Sequence, residues 1–272
     1  MWLLPGQPVF APLVSLRHLN LSHNRITELD SGLLADLTDS LESLDLTANQ
    51  VGRLSAGQFR HMGRLAVLRL DHNRVTSLGQ GVFHGLTASL QLLSLSNNSL
   101  GFIHEEALLP LAAGLRVLRL SLNRLSELPA ALKQLTGLEE LDLSENELRR
   151  LNASDLLGAG SPLLVLRLSG NGLEDVSLPG RGLQPPPRLQ RLDLSANRLS
   201  WLGPDSFAGL PGLTELSLAG NLLEDINGVL PSHPALLSLN ISGNRLKWFD
   251  MAFFPRQLTR LDVQVQSWSM FL

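Results

Sequence analysis

The sequence predicts an α/β solenoid, a stack of short parallel strands joined by longer return segments. Three observations carry that prediction. Leucine accounts for 68 of the 272 residues, whereas an ordinary globular domain spreads its apolar content over several side chains. The pattern L-x-x-L-x-L-x-x-N-x-L occurs ten times. Successive copies start 23 to 26 residues apart, and self-similarity at a fixed period of this size marks a repeat architecture.

The first copy is LRHLNLSHNRI, from Leu16 to Ile26, and the others open at Leu41, Leu65, Leu90, Leu115, Leu138, Leu163, Leu189, Leu213 and Leu236. A partial eleventh copy opens at Leu258 and carries Gln266 where asparagine is expected. In the x-L-x-L-x core the leucines alternate, so they share one face of a short strand. Because the register recurs in every copy, the strands are expected to stack in parallel as a one-dimensional solenoid. A turn must follow each strand, and the asparagines at 24, 49, 73, 98, 123, 146, 171, 197, 221 and 244 occupy it. A buried asparagine can satisfy backbone groups that a turn leaves unpaired, so this column reads as structural.

A further apolar slot lies five residues after each asparagine: Leu29, Leu54, Leu78, Ile103, Leu128, Leu151, Val176, Leu202, Ile226 and Phe249. Phe83 with Leu86, Phe207 with Leu210, and Phe59 with Met62 recur at fixed offsets and are expected to stack on the return side. Each buried side chain of this kind contributes about 1.5–3 kcal/mol gross. No repeat buries its slots alone, so stability depends on neighbours.

Composition removes several classes of function. With no cysteine there is no disulfide framework, no cysteine-type zinc site and no cysteine nucleophile. A net charge of −3 offers no basic face for nucleic acid. No apolar window reaches the ~18 residues of a spanning helix, and the opening MWLLPGQPVFAP, interrupted by prolines, makes a poor signal peptide. His18, His23 and His72 have no partners at metal-ligand spacing, so no metal or other cofactor is expected. No nucleophile motif, phosphate loop or carboxylate pair is present, so no catalytic site is expected.

These motifs resemble the leucine-rich repeat family over residues 16 to about 263. LQRLDLSANRLSWLGPDSFAGL, from Leu189, is similar to the typical animal subtype. The Ser-Leu lead-in units SLESLDLTANQV and SLQLLSLSNNSL, from Ser40 and Ser89, resemble those of chaoptin, with Toll-like ectodomains next in style. One unit departs: LSELPAALKQLTG, from Leu125, has the L-P-x-x-L-x-x-L form common in intracellular members. The resemblance implies a horseshoe with a parallel concave β-sheet and an irregular or short-helical convex side. It also implies an extracellular recognition, adhesion or receptor-ectodomain module. The alternative is an intracellular, cytoplasmic scaffold or signalling adaptor.

The chain reads as one domain, with residues 1–15 the tail of an incomplete repeat, 16–257 the ten repeats and 258–272 a truncated eleventh. Phe10, Leu13 and Leu16 reproduce the offsets of Phe207, Leu210 and Leu213, and polar terminal caps are absent. The expectation is therefore a piece of a longer protein.

Binding is expected on the variable positions beside the strand leucines. Val67, Leu92 and Val117 occupy one column on three consecutive strands, with Arg69, Arg116 and Arg119 beside them and Glu140 and Asp142 on the next repeat. An apolar centre with a charged rim is how interface patches look. In the neighbouring column the charges alternate from Arg119 through Asp142 and Arg167 to Asp193, which also reads as a self-neutralising ladder. A second, lateral candidate is Phe102, Trp201 and Trp248, which share one repeat position; tryptophan is over-represented in interface hot spots, although partial packing on the flank is the first expectation for this position. Sequons at Asn152, Asn97, Asn20 and Asn240 are candidate glycosylation sites. The prolines at 185–187, following Pro-Gly-Arg-Gly from 179, read as an extended outer loop. The partner expected is a protein, homophilic or a cell-surface glycoprotein, with no nucleic acid, and with membrane attachment only through an anchor outside this chain.

Overall fold

The computed structural model describes residues 10, 13–29, 34, 37, 40–86, 89–152, 161–177, 188–204, 206–207, 209–230, 233–248 and 250–264. The chain forms two compact units: Met1–Leu125 with Pro129–Leu138, and Ser126–Leu128 with Glu139–Leu272.

The first unit contains β1 (His18–Asn20), β2 (Ser43–Asp45), β3 (Val67–Arg69), β4 (Ser77–Leu78), β5 (Leu92–Ser94), β6 (Phe102–Ile103) and β7 (Val117–Arg119). Strands β1, β2, β3, β5 and β7 pair in parallel, each with the next. Register is set by the repeat, because Leu19, Leu44, Leu68, Leu93 and Leu118 stand opposite one another. Strands β4 and β6 form a separate parallel pair on the flank. Return segments include short 3₁₀ turns at Leu109–Leu111 and Ala130–Gln134.

The second unit contains β8 (Glu140–Asp142), β9 (Arg150–Asn152), β10 (Val165–Arg167), β11 (Asp175–Ser177), β12 (Arg191–Asp193), β13 (Glu215–Ser217), β14 (Ser238–Asn240) and β15 (Arg260–Asp262). Strands β8, β10, β12, β13, β14 and β15 again pair in parallel and in register. The eleventh copy therefore supplies a strand, although Gln266 lies outside the described residues. A flank pair, β9 with β11, repeats here, and a 3₁₀ turn covers Met251–Phe253. Each unit is thus a parallel-strand solenoid with irregular or 3₁₀ returns, as the repeat predicts.

The core is the repeat read out in three dimensions. Leucines of the strand positions, such as Leu44, Leu46, Leu68, Leu70, Leu93 and Leu95, are fully buried. Eight members of the later slot are buried as expected, from Leu29 to Ile226. Leu128 is half-buried, and Phe249 lies outside the described residues. Phe59 and Phe83 stack with ring centroids 6.1 Å apart.

The asparagine column is structural. Asn73 donates through Nδ2 to Leu70 O at 3.0 Å in its own turn and to Leu46 O at 2.9 Å one repeat earlier, while its Oδ1 accepts from Val51 N at 2.9 Å. Asn49, Asn98, Asn123, Asn197, Asn221 and Asn244 make the same three bonds. One side chain therefore closes its own turn and ties it to the preceding one.

The residue just before the asparagine is left-handed in all ten repeats: His23, Ala48, His72, Asn97, Leu122, Glu145, Gly170, Ala196, Gly220 and Gly243 have φ between 52 and 65°. The cause is a hydrogen bond across repeats, such as Ala48 N to Asp71 O at 2.9 Å and Ala196 N to Ala219 O at 2.7 Å. Only three of the ten are glycine, so most repeats accept the steric cost of a left-handed L-residue. At Gly170 an added Cβ would meet only the Glu145 carboxylate, the far end of an exposed, flexible side chain that can swing aside.

Candidate protein-interaction face

The strand residues flanking each central leucine point away from the core and form the open face of each sheet. On the first unit, Val67, Leu92 and Val117 stand opposite one another on β3, β5 and β7. All three are half-buried, so they form a contiguous apolar column that the core leaves part-accessible. Arg69 and Arg119 occupy the parallel column, separated by Ser94. Arg69 is half-buried and Arg119 exposed.

Arg116 departs from its expected role. It precedes β7, and its Nη1 donates to Gly137 O at 2.8 Å. Its side chain thus reaches that loop, and a Cβ at position 137 would lie 2.6 Å from the same nitrogen.

Glu140 and Asp142 belong to the second unit, on β8. There Glu140 is half-buried and accepts from Arg167 Nη1 at 2.7 Å. Asp142 turns to its own backbone, accepting from Ser144 N at 3.0 Å. Asp193 does the same with Ser195 N at 2.9 Å, and Asp45 with Thr47 N at 2.9 Å. These carboxylates close turns, so the alternating column is less a charge ladder than a set of side chain-to-backbone caps of the Asx type. Alternating signs predict an electrostatic column; the serine or threonine two residues after each acid is the signal for the caps. The apolar column of the first unit has no counterpart in the second, where the same positions hold Glu140, Val165, Arg191, Glu215, Ser238 and Arg260. Arg191 and Glu215 pair at 3.1 Å.

The lateral aromatics are solvated. Phe102 on β6 is 59% exposed, Trp201 68% and Trp248 60%, so flank packing does not hide them. Trp248 adjoins Lys247, which donates to Glu224 at 2.7 Å. That hydrogen bond, then the lysine charge, holds the Glu224 carboxyl below its usual range.

Of the sequons, Asn20 is exposed and its Oδ1 accepts from Ser22 N at 2.8 Å. Asn97 is exposed with its Nδ2 2.7 Å from His72 Nδ1. Asn240 is half-buried and accepts from Ser242 N and Oγ. The side chain of Asn152 and the 179–187 insert lie outside the described residues. Among the described residues no group of three or more His, Asp or Glu is placed to hold a metal, and no helix is long and apolar enough to cross a membrane.

Comparison with known proteins agrees with this geometry. The family model described as leucine rich repeat matches residues 39–100, 63–125 and 187–246, and a two-copy form matches 14–56. Toll-like receptor 7 of Drosophila melanogaster is 54% identical over 43 residues, 16% of this chain and 3% of that protein. Tsukushi of Rattus norvegicus is 43% identical over 68 residues, 24% of this chain and 19% of that protein. The matches therefore span a small part of these relatives. Among solved structures, the Drosophila Toll–Spatzle complex in its glycosylated form matches at 27% identity and a TM-score of 0.76, covering 96% of this chain and 38% of that one. A complex of Latrophilin 3, Unc5D and the leucine-rich repeats of FLRT2 matches at 26% identity and a TM-score of 0.72, covering 89% and 74%. The chain belongs to the leucine-rich repeat family, and it is a protein-interaction module similar to the Toll, FLRT and Tsukushi proteins.

Proposed function

We propose that this module works outside the cell, in recognition, adhesion or as part of a receptor ectodomain, and that it holds a protein partner on the open face of its first unit. The observation that carries the reading is the column of Val67, Leu92 and Val117. Three adjacent strands present apolar side chains there, in register and part-accessible, flanked by arginine. A water-facing apolar patch with a polar rim is the form that interface centres take. The extracellular placement draws support from similarity to Toll-like receptor 7, Tsukushi and the Toll and FLRT2 structures. Two of those structures are complexes with protein partners. The sequons at Asn20, Asn97, Asn152 and Asn240 fit a secreted route.

The test is binding of the chain, displayed as multimers, to an arrayed panel of animal extracellular proteins. Leu92→Asp is expected to abolish binding of any partner recovered, and Val117→Arg to weaken it strongly, with melting temperatures close to the parent. Unchanged binding by both variants overturns the assignment of the face. For the compartment, chain recovered from animal cells is expected to lose mass on treatment with peptide N-glycosidase. A wholly unglycosylated cytosolic pool overturns the extracellular reading.

A further inference from the structure

The chemistry of the partner can be read from one residue of this face, on the premise that the face binds. Arg69 lies half-buried between Asp45 and Ser94 on the neighbouring strands. Its guanidinium has no hydrogen bond or ion pair among the described residues. Two acids of the neighbouring strand and the following turn each have one carboxylate oxygen bonded within the chain. Asp45 Oδ1 accepts from Thr47 N. Asp71 Oδ1 accepts from Ser96 N at 2.7 Å and from the Ser94 hydroxyl. A half-buried stem of this kind holds the guanidinium at the surface of the face, and its planar fork matches a carboxylate in bidentate fashion. The same strand carries Val67, which opens the apolar column running to Val117.

We infer that Arg69 is an anion subsite, and that the partner is a polypeptide segment presenting an Asp or Glu carboxylate beside bulky apolar side chains. The apolar column spans two strand spacings, roughly 10 Å, which equals about three residues of extended chain. The acid is therefore expected within three residues of the apolar anchors. The first unit as a whole favours such a partner, with 11 Lys and Arg against 9 Asp and Glu, where the second has 11 against 16. Asp45 and Asp71 reduce the long-range field at Arg69, so recognition is by hydrogen-bond geometry more than by steering. Arg69→Lys, which keeps the charge and loses the fork, is then expected to bind nearly as poorly as Arg69→Gln.

The experiment selects a phage-displayed random dodecapeptide library on the full chain and measures the recovered peptides by fluorescence polarisation. Recovered peptides are expected to carry Asp or Glu within three residues of Leu, Ile, Phe or Trp. Changing that acid to its amide is expected to weaken binding about 10-fold or more, the scale of a lost charge-assisted bond. Arg69→Gln is expected to cause the same loss, and the two changes together little more. Because the Arg69 side chain makes no bond among the described residues, its variants are expected to melt with the parent. Peptides lost with Leu92→Asp but indifferent to Arg69→Gln overturn the anion subsite and leave the face intact. Peptides indifferent to both overturn the subsite and the face together. Selection that yields only basic or uncharged sequences, or no binders, also overturns the subsite.

Discussion

Asn73 holds three backbone groups of two different repeats with one carboxamide. Removing it leaves buried donors and acceptors without partners, each costing about 1–3 kcal/mol. Asn73→Ala is therefore expected to lower stability by about 3 kcal/mol or more, read as a shift of the urea midpoint. The left-handed column gives the opposite sign. Ala196 has φ 52°, and glycine takes that conformation without steric cost, so Ala196→Gly is expected to stabilise by about 0.5–1 kcal/mol. Asparagine was legible in the sequence because one residue type recurs at one offset. Its neighbour was not, because His, Ala, Asn, Leu, Glu and Gly share no chemistry. Gly170, Gly220 and Gly243 in register were the signal that marked it. The turn-capping role of Asp45, Asp142 and Asp193 was missed for a related reason: an acid next to a strand of opposite charge looks like an ion pair until its own backbone amide is considered.

Strands and stacks form the next level. The main-sheet strands were legible because two inward leucines per copy fix the period of two. Flank strands β4, β6, β9 and β11 were not, since each has two or three residues and one inward side chain, too few to show alternation. Phe59 and Phe83 tie adjacent returns. Phe59→Ala is expected to cost about 3–5 kcal/mol, and Phe59→Ala with Phe83→Ala less than the sum, because the rings share a contact. On the flank, Glu224 has a lowered folded pKa. Any contribution of its pair with Lys247 is thus present above the ordinary glutamate pKa and is lost as pH falls through the folded value. Lys247→Gln is expected to return the Glu224 titration, followed by NMR, to the ordinary range. The denaturation midpoint should not move, since an exposed pair is worth little.

At the scale of the molecule, each unit repeats one parallel-strand module, and the variable columns give the open face of each its own chemistry. The repeat announced the fold completely enough to give register, slots and return segments. Of the expected face, Val67, Leu92, Val117, Arg69 and Arg119 come together on the first unit as the columns implied. Arg116 is drawn to Gly137, which its place before the strand did not reveal, and Glu140 and Asp142 are engaged within the second unit. Side-chain direction along the flank depends on loop carbonyls that a repeat pattern does not encode. Because the chain has no cysteine, the most direct test of the proposed binding face is site-specific labelling. Leu92→Cys and Trp248→Cys would each be reacted with a maleimide, with and without a partner recovered from the extracellular panel. Partner binding is expected to slow labelling at position 92 at least tenfold and to leave position 248 unchanged. Protection at position 248 with none at position 92 would contradict the assignment and move the interface to the lateral aromatics.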